Sequence, residues 1–534
     1  MKNKQYYISY SFLSAFVVLL FFVYAYNLTV NYRPSFFHQW RQSDCLSIAT
    51  NYLHEGMHFL EPKTHWQGNG DGGAVSEMPL INYSVAYLWK LFGKSEGIYR
   101  MFNYIIFITG IFILFKSLLR RTNDTWLSFF LVSLLLTSPL LVYYSFNFLS
   151  DVPALIMAVI SFCFLLKAHD DDKKWPAYVA VLTGTLAALL KASDGILIVL
   201  MVLLFLLEIT GLNKKMGIRP IFKSLWLPLL FLLISVFCIL SWYSFAKDYN
   251  AIHKSELFLV GILPIWEMDS SAILANLTSL LSDKFSIFHN RPMLFLFFMV
   301  NVYIWFHFRS LDGILKLSYC LTGVFFITYI LLFFKVFDNH DYYLINLMIF
   351  PVINFYCVGQ ILQKKKYKMG LNKWMITAVL LVVLFNGLYA SAIYRSRTIK
   401  GDPLCYWYPF LTHIEKDITE YQIWTYEQSM SAMELVEPKF RELGISRNDL
   451  VLSVPDFSPN NSLYLYDQKG YTVSYGDFCK DTAWKKPARY KLCKYLIIND
   501  TTVKQSKGFS LIKDDLSLLY TQHHLEIYKL AKTP

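Results

Sequence analysis

Charge is what this sequence has least of. Of 534 residues only 16% are Asp, Glu, Lys or Arg, while 55% are hydrophobic and 18% aromatic. A soluble chain carries roughly 25% charged residues, so one this long and this poor in charge cannot coat its surface with solvated groups. That excludes an ordinary soluble enzyme and a disordered tail. Cysteine is scarce as well. The eight cysteines include no Cys-x-x-Cys pair, which argues against a disulfide mini-domain, a zinc ribbon and thioredoxin chemistry. No glycine-rich phosphate loop follows a strand, so no nucleotide cofactor is indicated. Neither an internal repeat nor a low-complexity stretch is evident. What remains is a mainly α, polytopic membrane protein.

Apolar windows of about 20 residues, each enough to cross ~30 Å of hydrocarbon, recur near 7–26, 100–118, 126–145, 152–168, 176–191, 195–210, 226–246, 292–309, 314–336, 343–361 and 374–393. The pattern predicts about 11 transmembrane helices. The first is too long for a signal-peptide core and lacks a small-residue cleavage site before Asn27-Leu28-Thr29, so it reads as a retained helix. With Lys2 and Lys4 inside, every second loop is basic: Lys116/Arg120/Arg121, Lys173/Lys174, Lys214/Lys215/Arg219/Lys223, Arg309/Lys316 and Lys364/Lys365/Lys366/Lys368. Cytoplasmic loops collect such residues. The net charge of +12 is thus largely a topological device, and no nucleic-acid partner is expected.

This orientation places three segments outside the cytoplasm: the first loop 27–99, the stretch 247–291 and the residues after Arg395. Ser271–Leu281 has the amphipathic spacing of a helix lying in the interface. Asp449–Val454 and Tyr495–Ile498 read as buried strands, predicting a small C-terminal α/β domain. The domains are expected at 1–394 and 395–534.

Charged residues at outer helix ends are costly near the bilayer and are therefore functional candidates. Three clusters qualify: His38-Gln39-Trp40-Arg41-Gln42-Ser43-Asp44, then Asn147 to Pro153 with Asp151, then Asp338-Asn339-His340-Asp341-Tyr342-Tyr343. Each has a plainer reading. Asp44, Ser43, Ser150 or Asp151 could merely cap a helix, and His340 with its tyrosines could belong to an aromatic belt. All three nevertheless fall on one side of the membrane, by a topology derived without them.

His54-Glu55-Gly56-Met57-His58 matches the His-Glu-x-x-His zinc pattern, but Gly56 weakens the helix that pattern needs, and surface histidines are the preferred reading. Gly68 to Gly73 looks like a flexible loop, a candidate substrate lid. Among the cysteines, Cys479–Cys493 is the best disulfide candidate, with two free buried thiols as the alternative.

At this point the chain resembles the GT-C glycosyltransferases, and more narrowly the bacterial branch related to protein O-mannosyltransferases and the lipid A aminoarabinose transferase. The resemblance rests on residues 38–44, on Glu77-Met78-Pro79-Leu80-Ile81-Asn82-Tyr83, on Asp151-Val152-Pro153 and on His340-Asp341-Tyr342-Tyr343, with Met78 replacing the usual aromatic residue. It implies a GT-C-like membrane domain with extracytoplasmic juxtamembrane helices, in the inner or plasma membrane. The implied activity is transfer of a sugar, with inversion, from a polyprenyl-phosphate donor to a glycan, lipid or protein acceptor. Asp44 is the expected general base, with Glu77 and Asp151 as further catalytic carboxylates. Arg41, His38, Lys63, Arg291, His340, Tyr342 and Tyr343 are the expected substrate-binding residues, and Lys254 and His289 are further cations for the leaving phosphate. Some relatives use a metal; here Mg2+ or Mn2+ would sit at Asp44 with Asp151. The rival is a transporter or flippase for a glycolipid, for which Lys191-Ala192-Ser193-Asp194-Gly195 is the one suitable polar break.

Overall fold

The computed structural model describes residues 2–171, 173–258, 261–282, 284–399, 402, 411, 413–480 and 492–531. It divides into two units. One comprises Met1–Val30, Arg100–Ser244 and Gly261–Arg395; the other comprises Asn31–Tyr99, Phe245–Val260 and Ser396–Pro534.

The first unit is a bundle of apolar helices, and the chain is a multi-span membrane protein. Among the described residues seven helices are long and apolar enough to cross a bilayer: Glu96–Thr122, Asp151–Asp170, Ala192–Ile209, Trp226–Ile252, Gly313–Leu332, Asp341–Lys364 and Lys373–Thr398. The count rises to nine if each of two bent helix pairs forms one span. Two further apolar helices, Ile8–Val23 and Trp175–Leu190, are shorter. The expected count near eleven thus includes segments that are broken or short.

One break has a clear cause. Thr125–Leu136 and Pro139–Ser145 meet at 66°, because Pro139 opens the second helix and cannot continue the hydrogen-bond ladder of the first. Asp151–Asp170 and Asp341–Lys364 lie at the centre, with 83% and 78% of their apolar windows buried, against 22% for Trp226–Ile252 at the periphery. Gly110 permits the central packing: a Cβ there would meet Ile156 at 2.4 Å. The exposed Trp175, Trp226, Trp305 and Trp374 each stand within a few residues of a basic loop, as interfacial tryptophans do.

Residues 146–150 are non-helical inside this bundle, so their carbonyls need partners that lipid cannot provide. Arg100 donates to the Phe146 carbonyl at 2.8 Å, and Asn103 donates to those of Asn147 and Leu149 at 2.8 and 3.1 Å. The Arg100 guanidinium also lies 4.2 Å from the Phe148 ring centroid. This fixed turn delivers Asp151 to the start of its helix.

The second unit contains a five-stranded sheet of order β2-β1-β3-β5-β4. The strands are β1 (Val451–Val454), β2 (Gly470–Thr472), β3 (Tyr495–Ile498), β4 (Leu516–Gln522) and β5 (Leu525–Leu530). β1 pairs in parallel with β2 and β3, and the β4–β5 hairpin closes the sheet antiparallel on β3. Leu452, Val454, Phe478, Leu496, Ile498 and Val503 form its core. Ser271–Leu281 falls in a helix spanning Ser270–Ser282 in the bundle unit.

At several positions the structure decides between the alternatives that the residues left open, and at the His54 pattern it agrees with the reading without zinc. The helix after residue 38 begins at Gln39 and ends at His54, so Asp44 stands in its second turn and caps nothing. Because that helix stops at His54 and Gly56 has φ +98°, the two histidines of the zinc pattern share no helix face. The glycine loop is not a free lid: Asp71 accepts from Gly73 N at 3.1 Å and pairs with His253 at 2.6 Å, and a Cβ on Gly70 would meet the His253 carbonyl at 1.9 Å. Cys479 and Cys493 are free thiols; Cys405 lies outside the described residues.

Candidate functional site

Asp44 is the centre of a buried polar group in the second unit. It projects from the Gln39–His54 helix, thirteen of whose sixteen residues are buried. One turn earlier, Arg41 pairs with Glu77, which also accepts from the Ser76 hydroxyl. The Arg41 guanidinium lies 5.1 Å from the Phe258 ring centroid. Burial pushes the Asp44 carboxyl up to about 7, aided by the charges of Glu77 and Asp456 and opposed by Arg41 and a hydrogen bond from Asn460. Desolvation is the largest cause, because a buried carboxylate loses its water shell. A carboxyl with this pKa is half ionised near neutral pH, the condition under which a general base works best.

The same helix is pinned along its length. Ser43 donates to Asn461 Oδ1 at 2.8 Å, and Asn460 donates to the Ser43 carbonyl at 3.3 Å. One turn on, Ser47 Oγ meets His65 Nδ1 at 2.5 Å, and His65 Nε2 meets Asp467 at 2.9 Å. Burial pushes the His65 imidazole down to about 4, so it is neutral at pH 7, donating to Asp467 and accepting from Ser47. Arg447 holds Asp467 at 3.0 Å and Asn51 at 2.6 Å, and keeps the Asp467 carboxyl well below the usual range together with His65. Glu55 pairs with Lys469 at 2.5 Å and with Arg447 at 3.4 Å.

A second cluster lies in the membrane unit. Asp151, fully buried, pairs with Lys191 at 2.8 Å. The Lys191 ammonium stands 4.6 Å from the Tyr343 ring centroid and 5.7 Å from that of Tyr342. His340 lies against both rings, 5.5 Å from that of Tyr342 and 6.2 Å from that of Tyr343. Nearby Asp194 is also fully buried and its carboxylate makes no hydrogen bond among the described residues. Tyr144 donates to Asp341. Two buried carboxylates share one lysine here, a costly arrangement that membrane proteins retain at functional positions.

Residues 76–242 match the family model described as dolichyl-phosphate-mannose-protein mannosyltransferase. The chain is also similar to the crystal structure of ArnT from Cupriavidus metallidurans in the apo state, at 11% identity and TM-score 0.56 over 98% of both chains. It matches the same protein bound to undecaprenyl phosphate at 11% identity and TM-score 0.57, over 97% of this chain and 98% of that one. The oligosaccharyltransferase of Archaeoglobus fulgidus, in complex with zinc and sulfate, matches at 13% identity and TM-score 0.52, over 96% of this chain and 72% of that one. The chain shares the GT-C fold of these proteins. No curated protein sequence matches it significantly.

In this chain Arg41 and Asp44, from one helix, lie together with Glu77, from a later loop. Asp151, His340, Tyr342 and Tyr343 meet around Lys191 in the other unit. His38 precedes the Asp44 helix in the left-handed region at φ 52°, its ring 4.2 Å from that of Phe37. The charge of Lys63 bears on Glu55 and Asp71. Arg291 is exposed and donates to the Ser282 carbonyl at 3.4 Å, Lys254 is exposed, and His289 donates to the Leu134 carbonyl at 2.7 Å. Sequence reasoning missed Lys191 and Asn460 as site residues. The polar break 191–195 between two apolar helices was the signal for the first; nothing local marks the second. Among the described residues no three His, Cys, Asp or Glu side chains gather into a metal-holding group. The donor set expected for Mg2+ or Mn2+ is therefore incomplete among the described residues.

Proposed function

We propose that this chain is a glycosyltransferase that moves a sugar from a polyprenyl-phosphate donor to a hydroxyl acceptor, with Asp44 as general base. The observation that carries this reading is the Asp44 carboxyl, buried among Arg41, Glu77 and Asn460 with its pKa raised to about 7. The acceptor oxygen attacks the sugar's anomeric carbon while its proton passes to Asp44. The bond from that carbon to the phosphate oxygen breaks, and the polyprenyl phosphate leaves with the electron pair. Attack opposite the leaving group inverts the anomeric centre. The fold shared with a protein crystallised with undecaprenyl phosphate supports the donor class, since a lipid-linked donor suits an enzyme built into the bilayer.

Glu77 orients Arg41 and thereby sets the charge beside the base. Within the membrane unit, Asp151 holds Lys191 among Tyr342, Tyr343 and His340, a buried cation of the kind that binds a lipid phosphate. His38, Lys63 and Arg291 remain substrate contacts in this reading. The basic loops favour a cytoplasmic N-terminus and an extracytoplasmic C-terminal domain in the plasma or inner membrane. Acceptors of this class are glycans, lipids or proteins.

Asp44→Asn tests the reading. With a polyprenyl-phosphate sugar, turnover is expected to fall by roughly 10²–10⁴-fold while the protein stays folded in detergent. Wild-type turnover in that variant would overturn the assignment.

A further inference from the structure

We propose that the groove between the Ile8–Val23 helix and the start of the Thr125–Leu136 helix binds an anionic phospholipid, whose phosphate Lys368 meets. The proposal goes beyond the transfer reaction and takes from the reading above only the orientation of the basic loops.

The groove lies wholly in the bundle unit and has a volume of about 480 Å³, within the roughly 300–1,000 Å³ of small-ligand sites. Ile8 and Phe12 form one wall, Trp126 and Phe129 the other. The two helices touch along it. The Phe12 ring centroid stands 5.6 Å from that of Trp126 and 4.8 Å from that of Phe129, and Ser9 Oγ and Thr125 Oγ1 share a hydrogen bond of 3.2 Å. Hydrocarbon is the solvent of this unit, so apolar walls alone select no particular lipid. The polar mouth does.

Asn123, Trp126 and Lys368 all line the groove, and among the described residues their side-chain N–H groups make no hydrogen bond or ion pair. Loop charge alone does not account for Lys368. In the same run Lys364 reaches Asp312 at 3.1 Å and the Ser310 carbonyl at 2.7 Å, and Lys365 lies 2.8 Å from His307 Nε2. Lys366 and Lys368 have no such partner among the described residues, and of the two it is Lys368 that lines the groove.

Its neighbours hold it there. Met369 N donates to Asp124 Oδ2 at 2.6 Å, the Met369 side chain is buried, and a Cβ on Gly370 would come within 3.0 Å of the Trp126 ring. Asp124 is the one carboxylate in the lining. It is buried and already accepts from Met369 N and, at 3.1 Å, from Leu127 N, so the ammonium stays available.

A phosphate diester at this mouth would receive one charged donor and two neutral ones, with the indole at headgroup level, where interfacial tryptophans sit. A zwitterionic headgroup would bring a second cation against the same basic turn. The loop charges place the groove at the cytoplasmic boundary, where basic pockets between helices select anionic lipid.

The test is binding of phosphatidylglycerol to the full chain in detergent, read by native mass spectrometry beside phosphatidylcholine. Wild type should hold phosphatidylglycerol the more tightly. Lys368→Ala should weaken it about fivefold and Lys368→Glu about thirtyfold, as one and two charges do at a bilayer surface. Lys366→Glu makes the same charge change off the groove and should cost far less. Ile8→Trp narrows the groove without altering charge and should weaken both lipids. Equal binding of the two lipids by wild type, equal losses in Lys366→Glu and Lys368→Glu, or unchanged binding in Ile8→Trp overturns the proposal. Displacement of the lipid by inorganic phosphate overturns it as well, because the apolar walls would then take no part. Detergent has no leaflets, so these outcomes hold whichever way the chain crosses the membrane.

Discussion

Lys191 is a lysine with more negative charge around it than it can neutralise. It is paired with the buried Asp151, and the buried Asp194 follows a few residues later in the same polar break. Removing one partner of such a pair leaves a stranded buried charge and costs several kcal/mol, whereas removing both is far milder. Lys191→Met alone should therefore destabilise the protein by about 3–5 kcal/mol and raise the KM for the lipid donor. The double variant Lys191→Met/Asp151→Asn should recover thermal stability in detergent yet keep the raised KM. If the double variant also recovers the donor KM, Lys191 has only a structural role. Asp44 shows the complementary case: burial disfavours its carboxylate and raises its pKa to about 7, so that near neutral pH about half of it is still ionised.

The Gln39–His54 helix is the element on which the candidate base is mounted, and a chain of side chains from Ser47 through His65 and Asp467 to Arg447 holds it. The His65 imidazole is held down at about 4, against about 6.5 for an unfolded chain. A depressed pKa means the unfolded state binds the proton first. The stability this histidine contributes is thus fully present above pH 6.5 and is lost as pH falls towards 4. His65→Gln should lower the thermal midpoint at pH 7.5, equivalent to roughly 1–3 kcal/mol. Its deficit should shrink as pH drops from 6.5 to 4, and a deficit constant across that range would refute the assignment. The turn at 146–150 does the corresponding work for Asp151, its carbonyls held by Arg100 and Asn103. Both clusters were half legible beforehand. Asp44, Arg41 and Glu77 announce themselves as charged residues in an apolar protein, and so do Asp151 and His340. Asn460 does not, because an uncharged amide before a short helix looks like any other cap until its side chain is seen pointing elsewhere. The zinc pattern at His54 failed for a local reason, a glycine at φ +98° that ends the helix between its two histidines.

The whole chain combines a bundle solvated by lipid with a unit carrying a five-stranded sheet, and its orientation rests on where the lysines and arginines fall. Lys366→Cys, in the Lys364–Lys368 run, should stay unlabelled by a membrane-impermeant maleimide in intact cells, whereas Lys513→Cys, exposed beside β4, should label. The reverse pattern would invert the topology and put the proposed reaction on the other face. The membrane character, the approximate spans and the alternation of basic loops were already contained in the order of residues. Hydropathy and loop charge act locally, each stretch partitioning according to its own composition. The number of complete spans was not, because a proline such as Pro139 or a shortened helix divides an apolar run without changing its hydropathy. Nor was the meeting of Ser43 with Asn460, or of Asp151 with Lys191. Those contacts join stretches far apart in the chain, and a hydrogen bond over about 3 Å exists only once the whole backbone path has been laid down.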